Sequence, residues 1–213
     1  MAGLIVKDSN NSSNSEPKIY LGTSAFTAAG WQGAFYPPEI KSKDYLSYYA
    51  QHFDTVEVNS TLYGCPSPRT VENWAAKTPD SFIFSIKTPR SIMPRPEELA
   101  QKFDPIIADW TYIRWLGDRK GIELQTLTWD KIIVDRTAQL TSWVDFCYQI
   151  KRRGITVYGY ANNHYAGHGP ATIRQFRDLW RKKGFPPLPE PAPTPKPLTP
   201  IPAPPKKQPS LFD

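Results

Sequence analysis

From residue 17 to residue 183, short runs of β-branched and aromatic residues alternate with stretches patterned for helix. Ile19–Ser24, Thr55–Asn59, Phe82–Lys87, Thr111–Trp115 and Thr156–Asn162 read as strands. Between and after them, Lys43–His52, Arg69–Lys77 (opened by Pro68), Asp135–Arg153 (stopped by Gly154) and residues 170–182 read as helices. Strand and helix in regular alternation imply βαβ units and a parallel sheet. The fold class predicted is α/β, with about five parallel strands. The stretch 90–110 breaks the pattern, with several prolines and one short helical piece.

The flanks differ in composition. Residues 1–16 are rich in Ser and Asn and poor in apolar side chains, so they read as a disordered N-terminal segment. Residues 184–213 hold twelve of the chain's 23 prolines, which predicts an extended, semi-rigid, disordered tail. No apolar run approaches the roughly 18 residues of a membrane span, and the start lacks the basic lead of a signal peptide. Cys65 and Cys147 lie far apart, which gives no disulfide framework and fits a reducing cytoplasm. The net charge of +6 permits contact with phosphate-bearing partners without demanding it.

Alternation along a strand puts Thr55, Glu57 and Asn59 on one face and Val56 and Val58 on the other. The apolar face belongs against helices, so Glu57 and Asn59 are predicted to face inward. Lys87 ends the third strand, Tyr112 and Arg114 share a face of the fourth, and Asn162 and Asn163 end the last. Thr23 and Ser24 end the first. A carboxylate, two cations and several amides thus converge at the carboxyl rim, where sites of this architecture lie. Glu57, Lys87 and Arg114 are the candidate catalytic residues, with Glu57 as acid or base. Asn59, Tyr112, Asn162, Asn163 and the aromatic Trp31 are candidate ligand contacts; Trp31, Phe35 and Tyr36 read first as a hydrophobic lid or core, and second as a surface for stacking on a sugar or base. The set suits an anionic or hydroxyl-rich ligand. His164 and His168 are four apart, but Gly167, Gly169 and Pro170 argue against a shared helix face, so no metal site and no cofactor are expected. The Asp118–Lys120 cluster reads as solvated loop.

The segments LGTSAF…GWQGAFYP, YYAQHFDTVEVNSTLYGCP, FIFSIK, TYIRWLGD and VYGYANNHYAGHGPAT together resemble the domain of unknown function 72 family, the YecE-like proteins, across most of residues 19–182. The resemblance implies a TIM-type (β/α)₈ barrel and a pocket at Glu57, Asn59, Lys87, Arg114 and Asn162. One departure is large. In the family, several βα units separate the strand ending in lysine from the strand carrying Tyr-x-Arg. Here Lys87 and Tyr112 are 25 positions apart. A unit needs about 30 residues, so roughly three are missing and the barrel is predicted to be incomplete. Its open sheet edges invite association with another copy. Whether the domain is an enzyme or a non-catalytic binding module stays open at this point.

The tail ends in Gln208-Pro-Ser-Leu211-Phe212-Asp. It resembles the short peptide that docks on the bacterial DNA sliding clamp, with Gln208 as amide donor and acceptor and Leu211 and Phe212 as apolar anchors.

Overall fold

The computed structural model of the chain describes residues 4–5, 16–87 and 109–191. Five parallel strands lie in the spatial order β4 (Ile83–Ile86), β3 (Thr55–Val58), β2 (Ile19–Thr23), β6 (Thr156–Ala161), β5 (Trp110–Trp115). A two-residue strand, β1 (Leu4–Ile5), runs antiparallel along the outer edge of β4. It comes from the segment whose composition predicted disorder. The sheet curls into an incomplete, TIM-barrel-like half-barrel, and each predicted strand appears within a residue or so of its expected bounds.

Helices cover the convex face. α4 (Thr137–Arg152) buries Leu140, Val144, Cys147 and Ile150, one stripe at helical spacing. α6 (Gly169–Lys182) buries Ile173, Phe176 and Trp180 and starts on Gly169–Pro170. Trp115 of β5 packs against Trp143 and Phe176 from these two helices. α1 (Tyr45–Tyr49) is short and follows a 3-10 turn at Ser42–Asp44. α2 (Pro68–Ala75) has Ser67 as its N-cap, accepting from Thr70 N–H, and buries no residue fully, with Trp74 stacked on Phe84. α3 (Arg119–Glu123) stands where the sequence reading placed solvated loop. α5 (Asn163–Ala166) is a single turn closed by Gly167 at φ 111°.

The concave face is polar and aromatic. Tyr160 of β6 and Thr55 of β3 both pair in register with Gly22 of β2. The Tyr160 hydroxyl therefore passes over Gly22 to bond Thr55 Oγ1 at 2.9 Å and Ser85 Oγ of β4. A Cβ at position 22 would stand 1.9 Å from the Thr55 carbonyl oxygen, so glycine is required for the close approach of the β3 backbone to β2. One tyrosine thus ties three strands, β6, β3 and β4, together.

Packing continues past residue 183, the predicted edge of the domain. Phe185 stacks on Tyr148 with ring centres 3.9 Å apart, and Trp180 Nε1 donates to the Pro186 carbonyl at 2.7 Å. Pro189 and Glu190 then line a cleft with Lys18, Tyr20, Phe53, Asp54 and Phe82, at the amino ends of β2, β3 and β4. Residues 192–213 lie outside the described residues, as do 88–108. No helix among the described residues is long and apolar enough to cross a membrane.

Asp54 sits at that amino end, 8% exposed, where its carboxylate accepts from Leu21 N–H (3.3 Å) and from Arg177 (3.0 Å). Burial outweighs the Arg177 charge and pushes its carboxyl up from 3.8 to about 6. The folded state therefore holds this proton more tightly than the unfolded chain. The stability that Asp54 contributes is fully present below pH 3.8 and is lost as the pH rises through about 6. Between pH 4 and 7 this group is expected to lower the unfolding free energy by up to about 3 kcal/mol. Urea unfolding at a series of pH values checks it: Asp54→Asn should flatten that part of the profile, whereas an unchanged slope would contradict the assignment.

Candidate functional site

Glu57 occupies the middle of the concave face and is 2% exposed. A bare carboxylate at such depth is costly, so it needs charged partners. It has two. Lys87 Nζ lies 3.3 Å from Oε1 and Arg114 Nε lies 3.0 Å from Oε2. Neither carboxylate oxygen has a well-aligned hydrogen bond among the described residues, so attraction of opposite charges dominates these contacts. Lys87 stands just beyond β4, where its backbone N–H donates to Thr61 Oγ1 at 3.0 Å. Arg114 reaches from β5. Both cation side chains remain about one fifth exposed, 20% and 23%, so each keeps a surface open to solvent.

Tyr112 lies beside this group on β5, with its ring 5.1 Å from that of Tyr160. Burial, then the Glu57 charge, push its phenol far above the ordinary range, so it remains a donor. The site therefore holds two cations and one phenol donor around a single carboxylate.

The rim above is linked by amides. Asn59 Nδ2 donates to the Ser24 carbonyl, and its Oδ1 is buried without a hydrogen bond among the described residues. Asn162 Nδ2 donates to Ser24 Oγ at 3.0 Å, while its Oδ1 caps α5 by accepting from His164 N–H at 2.8 Å. Asn163, predicted as a ligand contact, is turned the other way: its Oδ1 accepts Gly169 N–H at 2.9 Å and caps α6. Trp31, also predicted at the pocket, is 1% exposed and packs against Phe35, Tyr36 and His168. No face of its ring is open, so the core reading of this aromatic cluster is the one the structure carries.

The two late histidines point to different partners. His164 Nδ1 lies 2.6 Å from Asn162 Oδ1, and its Nε2 lies 3.0 Å from Glu123 of α3. His164 and Arg119 hold the Glu123 carboxyl below its usual range. His168 is buried, its Nδ1 3.0 Å from the Asp130 carbonyl, and burial pushes its ring pKa down. No group of three potential metal-binding side chains occurs among the described residues. Sequence reasoning missed Glu123 and Arg119; their four-residue spacing was the available signal. It also missed Tyr160, which lies under the charged group. Gln208, Leu211 and Phe212 fall outside the described residues.

The chain is similar to several known proteins. A family described as "Protein of unknown function DUF72" matches at residues 20–98 and 91–197. UPF0759 protein YunF of Bacillus subtilis (strain 168) is 35% identical over 69 residues, covering 32% of this chain and 23% of that protein. UPF0759 protein YecE of Escherichia coli (strain K12) is 47% identical over 47 residues, covering 22% of this chain and 17% of that protein. The matched stretches thus span less than a quarter of the length of these curated relatives. A solved structure, a DUF72 family protein from Thermotoga maritima, superposes with a TM-score of 0.53 at 19% identity, covering 78% of this chain and 98% of that one. At that identity the likeness speaks for the fold.

Proposed function

The chain belongs to the DUF72 family, and from that premise we propose that its concave rim binds a small anionic or hydroxyl-rich ligand of the sugar-phosphate or nucleotide class. The observation that carries this reading is the ratio of charges: two partly exposed cations, Lys87 and Arg114, share one buried carboxylate, Glu57. The cluster has an excess of one positive charge, and an incoming anion completes it. Arg114 uses Nε toward Glu57, which leaves its terminal nitrogens for a bidentate contact with phosphate. Asn59 Oδ1 offers an acceptor for a ligand hydroxyl. In a catalytic version of this reading, Glu57 is the residue that exchanges a proton with the ligand. In a binding version, Glu57 only positions the two cations.

Thermal unfolding with inorganic phosphate, a pentose 5-phosphate and a short single-stranded oligonucleotide tests the proposal. At least one phosphate-bearing probe should raise the midpoint of the native chain, and Lys87→Met and Arg114→Met should lose at least tenfold in apparent affinity. Equal response in native and variant chains would contradict it.

A second reading concerns the tail. We propose that Gln208, Leu211 and Phe212 dock on the bacterial DNA sliding clamp. The path of the chain supports it: Pro189 and Glu190 lie at the amino ends of the strands, opposite the Glu57 rim, so a tethered domain keeps its rim open. Co-sedimentation with purified clamp should show binding by the full chain and none after deletion of residues 208–212; equal binding by both would contradict it.

A further inference from the structure

The two borders of the sheet are treated differently. The outer edge of β4 is taken by β1, with Leu4 opposite Ile86 and Ile5 opposite Ser85. The outer edge of β5 has no strand beside it among the described residues, although β5 is six residues long. An edge of this kind carries unpaired backbone donors and acceptors, and proteins blunt it with proline, bulges or several charges. β5 reads Trp-Thr-Tyr-Ile-Arg-Trp, with no proline and one charge.

The hydrogen-bond phase shows which residues face outward. Thr156 N–H donates to the Asp109 carbonyl at 2.9 Å, and Asn162 N–H to the Trp115 carbonyl at 3.1 Å. With Trp110 opposite Thr156 and Trp115 opposite Ala161, this assigns odd-numbered residues of β5 to the ladder with β6. Trp110, Tyr112 and Arg114 therefore direct their backbone groups away from the sheet, and their side chains share one face.

We infer that two copies of this chain pair through antiparallel β5 strands, centred on Tyr112. That register is self-complementary, as a two-fold interface requires. It opposes Tyr112 to Tyr112 of the second copy, and Trp110 of each copy to Arg114 of the other. All three are hydrogen-bonded pairs, giving about six new backbone bonds. The Trp–Arg pairs place an indole beside the aliphatic stem of Arg114, whose guanidinium stays with Glu57, a favourable cross-strand contact. Each Arg114 is already balanced by Glu57, which reduces repulsion across the axis. The interface shares Tyr112 and Arg114 with the rim, but its test reads self-association without added ligand, so its failure is distinct from failure of the rim reading.

Sedimentation velocity on the full chain over a concentration series should show a discrete monomer–dimer equilibrium. Trp110→Lys sets like charges opposite each other and should weaken it at least tenfold, whereas Trp110→Glu sets a carboxylate opposite Arg114 and should retain it. For a measurement independent of those variants, Tyr112→Cys in a Cys65→Ser background places two thiols about 5.5 Å apart at Cα, within disulfide range. It should cross-link under mild oxidation, and Thr111→Cys in the same background should not. A monomer at every concentration, open-ended association, equal effects of Lys and Glu at position 110, or failure of Tyr112→Cys to cross-link would each overturn the inference.

Discussion

The contact between Glu57 and Arg114 joins strands that are not neighbours. β2 and β6 lie between β3 and β5, so on a flat sheet the two strands would be about 14 Å apart. Side chains rising side by side from a flat surface would not meet across that span. On a curled surface they converge, and here they meet at 3.0 Å. The ion pair and the curvature therefore imply each other. Lys87 draws β4 into the same knot, and Tyr160 ties β6, β3 and β4 one layer below, over the space left by Gly22. An incomplete barrel has no closed ring of strands to impose its curvature. Charge and a tyrosine hydroxyl supply part of that constraint.

The same arrangement shapes the rim. A carboxylate as deeply buried as Glu57 is tolerable only between cations, and two cations around one carboxylate leave positive charge turned toward solvent. One group of residues thus shapes the sheet and forms the rim at which a ligand is proposed to bind. The amides above it divide their work: Asn59 and Asn162 lock the ends of β3 and β6 to Ser24, while Asn163 caps α6. At the opposite end, Asp54 and Arg177 carry a second buried charge pair beside the first residues of the proline-rich tail.

Much of this was legible in the sequence because period-two alternation is local. Val56 and Val58 against Glu57 and Asn59 defined the inward face of β3, and Tyr112 and Arg114 did the same for β5. Glycine and proline marked Gly154 and Gly169–Pro170 as helix boundaries. What escaped depends on long-range contacts. A five-residue helix at Arg119–Glu123 carries little periodic signal, and its link to His164 spans 41 positions. Trp31 follows the first strand as a pocket aromatic would, yet packing buries it. Phe185 and Leu188 look like linker among prolines, and only the folded core, with Tyr148 and Trp180 against Phe185, gives them a surface to pack on. Leu4 and Ile5 are too few to register as a strand until the edge of β4 is present to receive them.

Glu57 and Arg114 act on each other across the curled sheet and hold it in shape. A double-mutant cycle measures that directly, with urea unfolding of the native chain, Glu57→Gln, Arg114→Gln and the double variant. A coupling free energy of at least about 1.5 kcal/mol is expected, since each single change strands a buried or half-buried charge and the double change relieves it. Additive effects, with coupling below about 0.5 kcal/mol, would contradict it and leave the curvature to packing alone.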